Sequence, residues 1–127
     1  MIYGVGTDVV EISRIEKSLG RFGERFAQRI LCDAELKRFR AHRQPASYLA
    51  KRFAAKEAFA KALGTGIKAP ANWHGVWVTN QPSGKPELQF SEPLLKALSS
   101  RGILRAHVSL ADERGVAVAT VILECEN

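Results

Sequence analysis

The sequence predicts an α+β domain in which a largely antiparallel sheet packs against a long helix. Three observations predict it. A segment rich in β-branched residues opens the chain, helical periodicity runs from Ser13 to Leu63, and short strand-like segments around one helix fill the remainder. The 127 residues suffice for one hydrophobic core and not for two, so we expect residues 1–127 to form a single domain.

The composition is that of a packed protein, with 46% hydrophobic and 25% charged residues. The longest apolar run, residues 116–123, is far shorter than the roughly 20 residues of a membrane span. No basic residue precedes Asp8, so the pattern of a signal peptide is missing. We therefore expect a cytoplasmic protein. Cys32 and Cys125 have neither zinc-site nor redox-motif spacing, and we expect both to be reduced.

The positive charge lies in the first half of the chain. Residues 1–68 carry 14 Lys and Arg against 7 Asp and Glu, whereas residues 69–127 carry 5 against 6. This asymmetry implies an anionic partner, which charge alone leaves open between nucleic acid, a phosphate-rich small molecule and an acidic protein surface.

The first half reads as one strand followed by helices. Residues 2–10 predict the strand, in which Gly4 and Gly6 mark a bend or a close approach of the backbone. From Ser13 the period becomes helical, and Gly20 and Gly23 are predicted to divide this stretch into two short helices. One side carries Leu19, Phe22, Phe26 and Ile30, and the other carries Lys17, Arg21, Arg25 and Arg29.

Two further helices are predicted before residue 64. Asp33 is the expected N-cap of a helix over Glu35–His42, and Pro45 marks the restart of the chain into the next one. Residues 47–63 are rich in Ala, Lys and Leu without internal Gly or Pro, and Gly64 provides the left-handed residue that ends such a helix.

The second half reads as ββαββ. Residues 75–79 and 87–90 flank the turn Pro82–Pro86 and predict a hairpin. Residues 92–100 predict a short helix ending at Gly102. Residues 106–110 and 116–123 predict a second hairpin around the turn Asp112–Gly115.

The candidate catalytic residues begin with two carboxylates. Glu57 and Lys61 lie one helical turn apart, which a surface salt bridge would explain, and Asp8 at a strand end would be explained by a cap or turn. The functional alternative is a magnesium site, because Mg²⁺ takes oxygen ligands and is held by one or two carboxylates together with waters and substrate phosphates. Nearby lysines would neutralise transferring phosphate oxygens.

Other polar residues leave two interpretations open. His107 and Ser109 share one face of a strand, where a histidine is either satisfied structurally or able to contact a phosphate or move a proton. The segment 64–68 lacks the Walker pattern and ends a helix. Gly84-Lys85-Pro86 is a hairpin turn with ligand contact as a secondary role.

Five segments, taken in order, resemble the holo-[acyl-carrier-protein] synthase family of short, trimeric 4′-phosphopantetheinyl transferases. The resemblance runs from residue 2 to about residue 124. The segments are Val5–Asp8, Arg52–Ala58, Lys61–Gly66, Gly84–Pro86 and His107–Leu110.

The resemblance implies the fold of that family and a Mg²⁺-dependent transfer of phosphopantetheine from coenzyme A to a serine of apo acyl carrier protein, releasing adenosine 3′,5′-bisphosphate. It implies Asp8 and Glu57 as metal ligands, with Lys61 as a third catalytic residue. It also implies a homotrimer with coenzyme A bound between subunits. The coenzyme-binding set it implies is Arg52, Lys61, Gly84, Lys85, Pro86, His107 and Ser109.

The basic helical region gains a candidate partner from the resemblance, because acyl carrier proteins are acidic and the family docks them there. The docking residues are Arg14, Lys17, Arg21 and Arg25, with a solvated basic face as the plain alternative. The rival function is a basic nucleic-acid-binding module, which has no recognisable motif here and leaves Asp8 and Glu57 unexplained. A non-catalytic adaptor of the same fold is disfavoured by intact Asp8, Glu57 and Lys61.

Overall fold

The computed structural model describes all 127 residues. A three-stranded antiparallel sheet, in the order β1-β5-β4, packs against helix α4, and β2 and β3 pair as a separate hairpin. The elements are β1 (Ile2–Glu11), α1 (Ile12–Phe22), α2 (Glu24–Ile30), α3 (Asp33–Ala41), α4 (Pro45–Leu63), β2 (Val76–Asn80), β3 (Pro86–Phe90), α5 (Glu92–Ser100), β4 (Ile103–Glu113) and β5 (Val116–Cys125). The predicted α+β class is confirmed. No helix combines the length and the apolar character needed to cross a membrane.

Local signals set most element ends where the sequence predicts them. Helix α5 has the predicted bounds, and its N-cap Ser91 accepts a hydrogen bond from the Leu94 backbone at 3.4 Å. Gly64 ends α4 in the left-handed conformation with φ 88°. Strand β4 is longer than predicted, because its cross-strand partners in β5 continue from Cys125 to Val116.

Three local predictions are wrong. Gly20 lies inside α1, and Gly23 alone separates α1 from α2. Asp33 is the first residue of α3 and Cys32 is its N-cap; at that position the Asp33 charge still favours the helix N-terminus. Phe22, predicted on the apolar side, is 54% exposed because the break at Gly23 ends the periodicity that would have buried it.

Strand β1 crosses α4 at backbone distance. A Cβ added to Gly6 would lie 1.9 Å from the carbonyl oxygen of Ala58, and one added to Gly4 would lie 2.0 Å from that of Ala62. Only glycine on the strand permits this approach. The facing turns of α4 carry alanines, whose small side chains leave the helix backbone accessible to the strand. The inward side of β1 therefore carries Gly4, Gly6, Asp8 and Val10 in sequence.

A buried ion pair fixes α4 to the elements on its other side. The Lys56 ammonium donates to Glu35 Oε1 at 2.7 Å, to the Ile30 carbonyl at 2.6 Å and to the Trp73 carbonyl at 2.7 Å. Glu35 in turn accepts from the backbone amides of Cys32 and Val78. Burial lowers the pKa of Lys56, and the Glu35 charge opposes that shift. All three ammonium protons have acceptors, so this pair is well satisfied although both side chains are almost fully buried.

The face of the sheet turned away from α4 is called the outer sheet face. It carries Val5 and Val9 of β1, which are 55% and 62% exposed. Its twelve alternating positions are Tyr3, Val5, Thr7 and Val9 of β1, Val118, Thr120, Ile122 and Glu124 of β5, and Arg105, His107, Ser109 and Ala111 of β4.

The close crossing predicts an asymmetry between two glycine substitutions. Gly6→Ala forces a methyl group into the Ala58 carbonyl and should lower the free energy of unfolding by about 3 kcal/mol. Gly20→Ala, in an open position within α1, should be neutral or raise it by about 0.5–1 kcal/mol. Urea unfolding of both variants measures the difference. Equal stability of the two proteins would contradict the crossing geometry.

Candidate active site

The β1–α4 crossing brings Asp8, Glu57 and Lys61 together. Gly6 sits over Ala58, so Asp8, the next inward residue of β1, is carried to the turns of α4 that hold Glu57 and Lys61. The Lys61 ammonium donates to Asp8 Oδ1 at 3.1 Å and to the Thr7 carbonyl at 3.0 Å. The Asp8 side chain is 15% exposed and that of Lys61 is 54% exposed. Asp8 and Lys61, which are distant in sequence, thus meet at one point of the surface.

The electrostatics of Glu57 show that the two carboxylates interact. Burial raises the pKa of Glu57, the negative charge of Asp8 raises it further, and Lys61 partly offsets both. A carboxyl group whose ionisation is disfavoured by burial and by a neighbouring carboxylate lies where added positive charge is favourable.

The donor set fits a hard divalent cation. Asp8 and Glu57 supply two carboxylates, and no group of three or more His, Cys, Asp or Glu side chains forms a closed metal cage in the chain. This matches the way Mg²⁺ is held, by one or two carboxylates with water and substrate oxygens completing the octahedron.

A cavity of about 400 Å³ adjoins the carboxylates. Asp8, Glu57 and Arg14 line its polar side, and Ile15, Phe26 and Phe53 are among its apolar lining residues. Phe53 is supported from behind by Trp73, with ring centroids 5.1 Å apart. The site therefore presents an anionic centre, one guanidinium and an aromatic wall in a single depression.

A second cavity, of about 280 Å³, lies on another part of the surface. It is lined by Lys85 and Pro86 of the hairpin turn, together with His107. The structure thus joins two motifs that are 20 residues apart in sequence, Gly84-Lys85-Pro86 and His107-Val108-Ser109-Leu110. Ser109 is exposed two residues along the outer sheet face. None of these residues contacts Asp8, Glu57 or Lys61 within the chain.

Arg52 lies in neither cavity. Its side chain is buried, stacks over the Tyr48 ring at 4.3 Å and donates to Asn80 Oδ1 at 2.9 Å. The Asn80 amide donates in turn to the Gly84 carbonyl at 3.0 Å. As placed, Arg52 supports the turn that carries Lys85 instead of facing solvent.

The basic residues of α1 and α2 do not form one continuous row. Arg14 reaches the cavity beside Asp8 and Glu57, whereas Arg21 lies over the exposed Phe22 ring at 5.1 Å. Lys17 is exposed on α1, and Arg25 belongs to α2 beyond the break at Gly23. The four are surface cations on two helices at one end of the site.

Several site residues carry no signal in the sequence alone. Asn80 holds the Gly84 turn, and Glu124 accepts hydrogen bonds from His107 and Arg105. Strand alternation alone does not show that Glu124 and His107 lie on the same sheet face, because this depends on the β4–β5 register. The turn Asp112–Gly115 is the one sequence feature that could have given that register.

Comparisons with known proteins agree along nearly the whole chain. Residues 4–121 match the family model of the 4′-phosphopantetheinyl transferase superfamily. The chain is 54% identical over 123 residues to a holo-[acyl-carrier-protein] synthase of Vibrio parahaemolyticus, covering 97% of this chain and 98% of that one. The crystal structure of the Neisseria meningitidis synthase superposes with a TM-score of 0.95 at 45% identity, covering 98% and 99% of the two chains. A Bacillus anthracis synthase in complex with CoA (3′,5′-ADP) superposes with a TM-score of 0.83 at 35% identity, covering 99% of each.

The raised pKa of Glu57 predicts how a neutral replacement affects stability in metal-free buffer. A carboxyl whose pKa is higher in the folded than in the unfolded protein contributes stability below its unfolded value of 4.5, and that contribution is lost as pH rises through the folded value. Glu57→Gln should therefore melt at a higher temperature than the wild type at neutral pH, and the gap should close below about pH 4. Glu16→Gln, an exposed carboxylate on α1, is the control. A Glu57→Gln protein that melts at or below the wild-type temperature at pH 7 would contradict the raised pKa of Glu57.

Proposed function

The chain belongs to the holo-[acyl-carrier-protein] synthase family of the 4′-phosphopantetheinyl transferase superfamily, and from this premise we propose how its residues carry out the reaction. The enzyme transfers the 4′-phosphopantetheine group from coenzyme A to a serine of apo acyl carrier protein, leaving adenosine 3′,5′-bisphosphate. The observation that carries the residue assignment is the meeting of Asp8, Glu57 and Lys61 at the β1–α4 crossing. Nothing supports the alternative of a nucleic-acid-binding module.

Asp8 and Glu57 would hold Mg²⁺, which would polarise the pyrophosphate of the coenzyme and offset negative charge on its oxygens. Lys61 stabilises the same oxygens with its exposed ammonium. The serine hydroxyl of the carrier attacks the phosphorus in line, the new phosphodiester bond forms, and the bond to the departing bisphosphate breaks. The serine proton passes to a carboxylate of the site, either Glu57 directly or Asp8 through a water.

The coenzyme is proposed to contact the second cavity through Lys85, Pro86 and His107, with Ser109 beside it on the outer sheet face. Arg52 acts on the Gly84-Lys85-Pro86 turn through Asn80 and keeps the turn fixed for that contact. Lys85 and a protonated His107 both complement phosphate charge. Coenzyme A carries a pyrophosphate and a separate 3′-phosphate, so a second cluster of phosphate-binding residues is expected away from the carboxylates.

A homotrimer is proposed from the resemblance to short, trimeric family members, and an uncovered patch of apolar side chains on the outer sheet face supports association of the chains. Val5 and Val9 are more than half exposed there, and β-branched side chains from β5 continue the surface between them and β4. Exposed apolar surface of this kind marks an association face. Sedimentation equilibrium should give about three times the chain mass of 14.0 kDa.

The cytoplasmic location remains a prediction of the sequence.

The function is tested by the mass of the carrier. Apo carrier protein incubated with the enzyme, coenzyme A and Mg²⁺ should gain the mass of one phosphopantetheine group, and EDTA should abolish the gain.

Asp8→Asn should lower kcat by about 100-fold or more, because it removes one of two charged metal ligands. Asp33→Asn makes the same chemical change at an exposed residue of α3 and should act as wild type. Wild-type turnover by Asp8→Asn would overturn the metal assignment.

The docking surface is tested by charge reversal. Arg14→Glu and Arg21→Glu should each raise KM for the acidic carrier about tenfold at low salt. Arg21 lies outside the cavity of Asp8 and Glu57, so Arg21→Glu should leave KM for coenzyme A unchanged. The effect should shrink as salt rises, because exposed charges are screened. Lys96→Glu, on the exposed side of α5, makes the same charge change as a control. An unchanged KM for the carrier in both arginine variants would leave the basic face without a docking role.

A further inference from the structure

Glu124 joins two basic side chains of the neighbouring strand on the outer sheet face. Its Oε2 accepts from Arg105 Nε at 3.0 Å, and its Oε1 accepts from His107 Nε2 at 2.9 Å. The β4–β5 register pairs Glu124 with Arg105 directly and places His107 two residues further along β4. The hydrogen bond from Arg105, and then that from His107, holds the pKa of the Glu124 carboxyl below its usual range. Glu124 therefore remains an anion at neutral pH.

His107 uses one ring nitrogen for this contact and has the other left over. Because an ionised carboxylate can only accept, Nε2 must carry the proton of that bond. Nδ1 has no hydrogen-bond partner in the chain. His107 also lines the cavity of about 280 Å³ together with Lys85 and Pro86, where the coenzyme is proposed to bind. The ring thus connects Glu124 on one side with a candidate phosphate site on the other.

The protonation state of His107 decides what Nδ1 can do there. In the neutral ring with Nε2 protonated, Nδ1 carries a lone pair and repels phosphate oxygens. In the imidazolium both nitrogens donate, one to Glu124 and one to an anion in the cavity. Four charged groups lie near the ring: Glu124 of β5 and Arg105 of β4 lie on the outer sheet face, and Glu87 of β3 and Lys85 of the turn line the same cavity. Glu124 is the one among them that is hydrogen-bonded to the ring.

We propose that Glu124 is a positioning residue that holds His107 as a doubly protonated donor to a phosphate group of coenzyme A. This proposal rests on the proposed coenzyme-binding function of the second cavity. It makes coenzyme affinity depend on one proton of the protein, and it assigns a role to a residue three positions from the end of the chain. Arg105 contributes by keeping the carboxylate of Glu124 oriented along the sheet.

Calorimetric titration of coenzyme A in the presence of Mg²⁺, without carrier protein, tests the proposal between pH 5.5 and 8.5. Wild-type affinity should fall as pH rises. Glu124→Gln keeps the shape and an acceptor oxygen but loses the charge, so it should bind about tenfold more weakly at pH 7, with the fall displaced to lower pH. His107→Gln should lose that pH dependence. Glu126→Gln, the same change two residues further along, should behave as wild type.

The comparison between variants isolates the protein proton, because the phosphates of the coenzyme titrate identically in every experiment. If the wild type binds coenzyme A and Glu124→Gln follows its pH profile, the proposal is wrong while the function stands. A uniform loss of affinity without displacement of the profile also overturns it, since that indicates a structural role. Failure of the wild type to bind coenzyme A would instead remove the proposed function.

Nitrogen NMR of the His107 ring in the wild-type complex provides a measurement that needs no variant. Both ring nitrogens should show the shift of protonated nitrogen at pH 7 when coenzyme A is bound. A single protonated nitrogen in the saturated complex would refute the proposal, even if Glu124→Gln failed to fold or assemble. Sedimentation of each variant confirms that differences in affinity do not come from loss of assembly.

Discussion

The contact between the backbones of β1 and α4 is the constraint on which the site depends. Gly4 and Gly6 meet the carbonyl oxygens of Ala62 and Ala58 at distances that leave no room for a Cβ. Strand alternation then determines that the next inward residue after Gly6 is Asp8, and the helix period determines that Glu57 and Lys61 flank the crossing. A side chain at either glycine would move the strand away from the helix and separate the two carboxylates. The glycines thus set the geometry of the candidate active site without contributing a functional group to it.

The Lys56–Glu35 pair secures the opposite side of the same helix. A charged pair this deeply buried is weak support for stability as such, because the cost of removing both ions from water is large. Its value lies in the number of segments that its hydrogen bonds connect, namely the end of α2, the start of α3, the Trp73 segment and β2. Lys56 and Glu57 are adjacent in sequence yet point to different environments, one closed and one facing the cavity. The helix is thereby held in one rotational setting, with Glu57 directed at Asp8.

Local structure was predictable to the extent that local residues determine it. The bounds of α5 follow from Ser91 and Gly102, and the end of α4 follows from Gly64, because caps and left-handed positions act within a few residues. The family motifs pointed to Asp8, Glu57 and Lys61, which the structure brings together, and Gly4 and Gly6 marked either a bend or a close approach of the backbone. What could not be read was set by packing across elements. Arg52 turned out to be buried against Tyr48 and Asn80, and Phe22 was left exposed by a helix break. The Glu124–His107 contact depends on the exact β4–β5 register, which the turn Asp112–Gly115 indicates and which was not worked out from the sequence.

The separation of the two cavities bears on why such an enzyme would assemble. Asp8 faces α4 from one side of the sheet, and His107 lies on the outer sheet face. Within the sheet, the two residues are two strands apart, which is about 10 Å across the strands. They are also offset by three residues, which is about 10 Å along the strands. One coenzyme molecule that used both cavities of one chain would have to pass around the sheet edge. In the proposed homotrimer, the second cavity would instead be supplied by a neighbouring chain. The separation of the two cavities is therefore in keeping with the proposed binding of coenzyme A between subunits, in which assembly would complete each binding site.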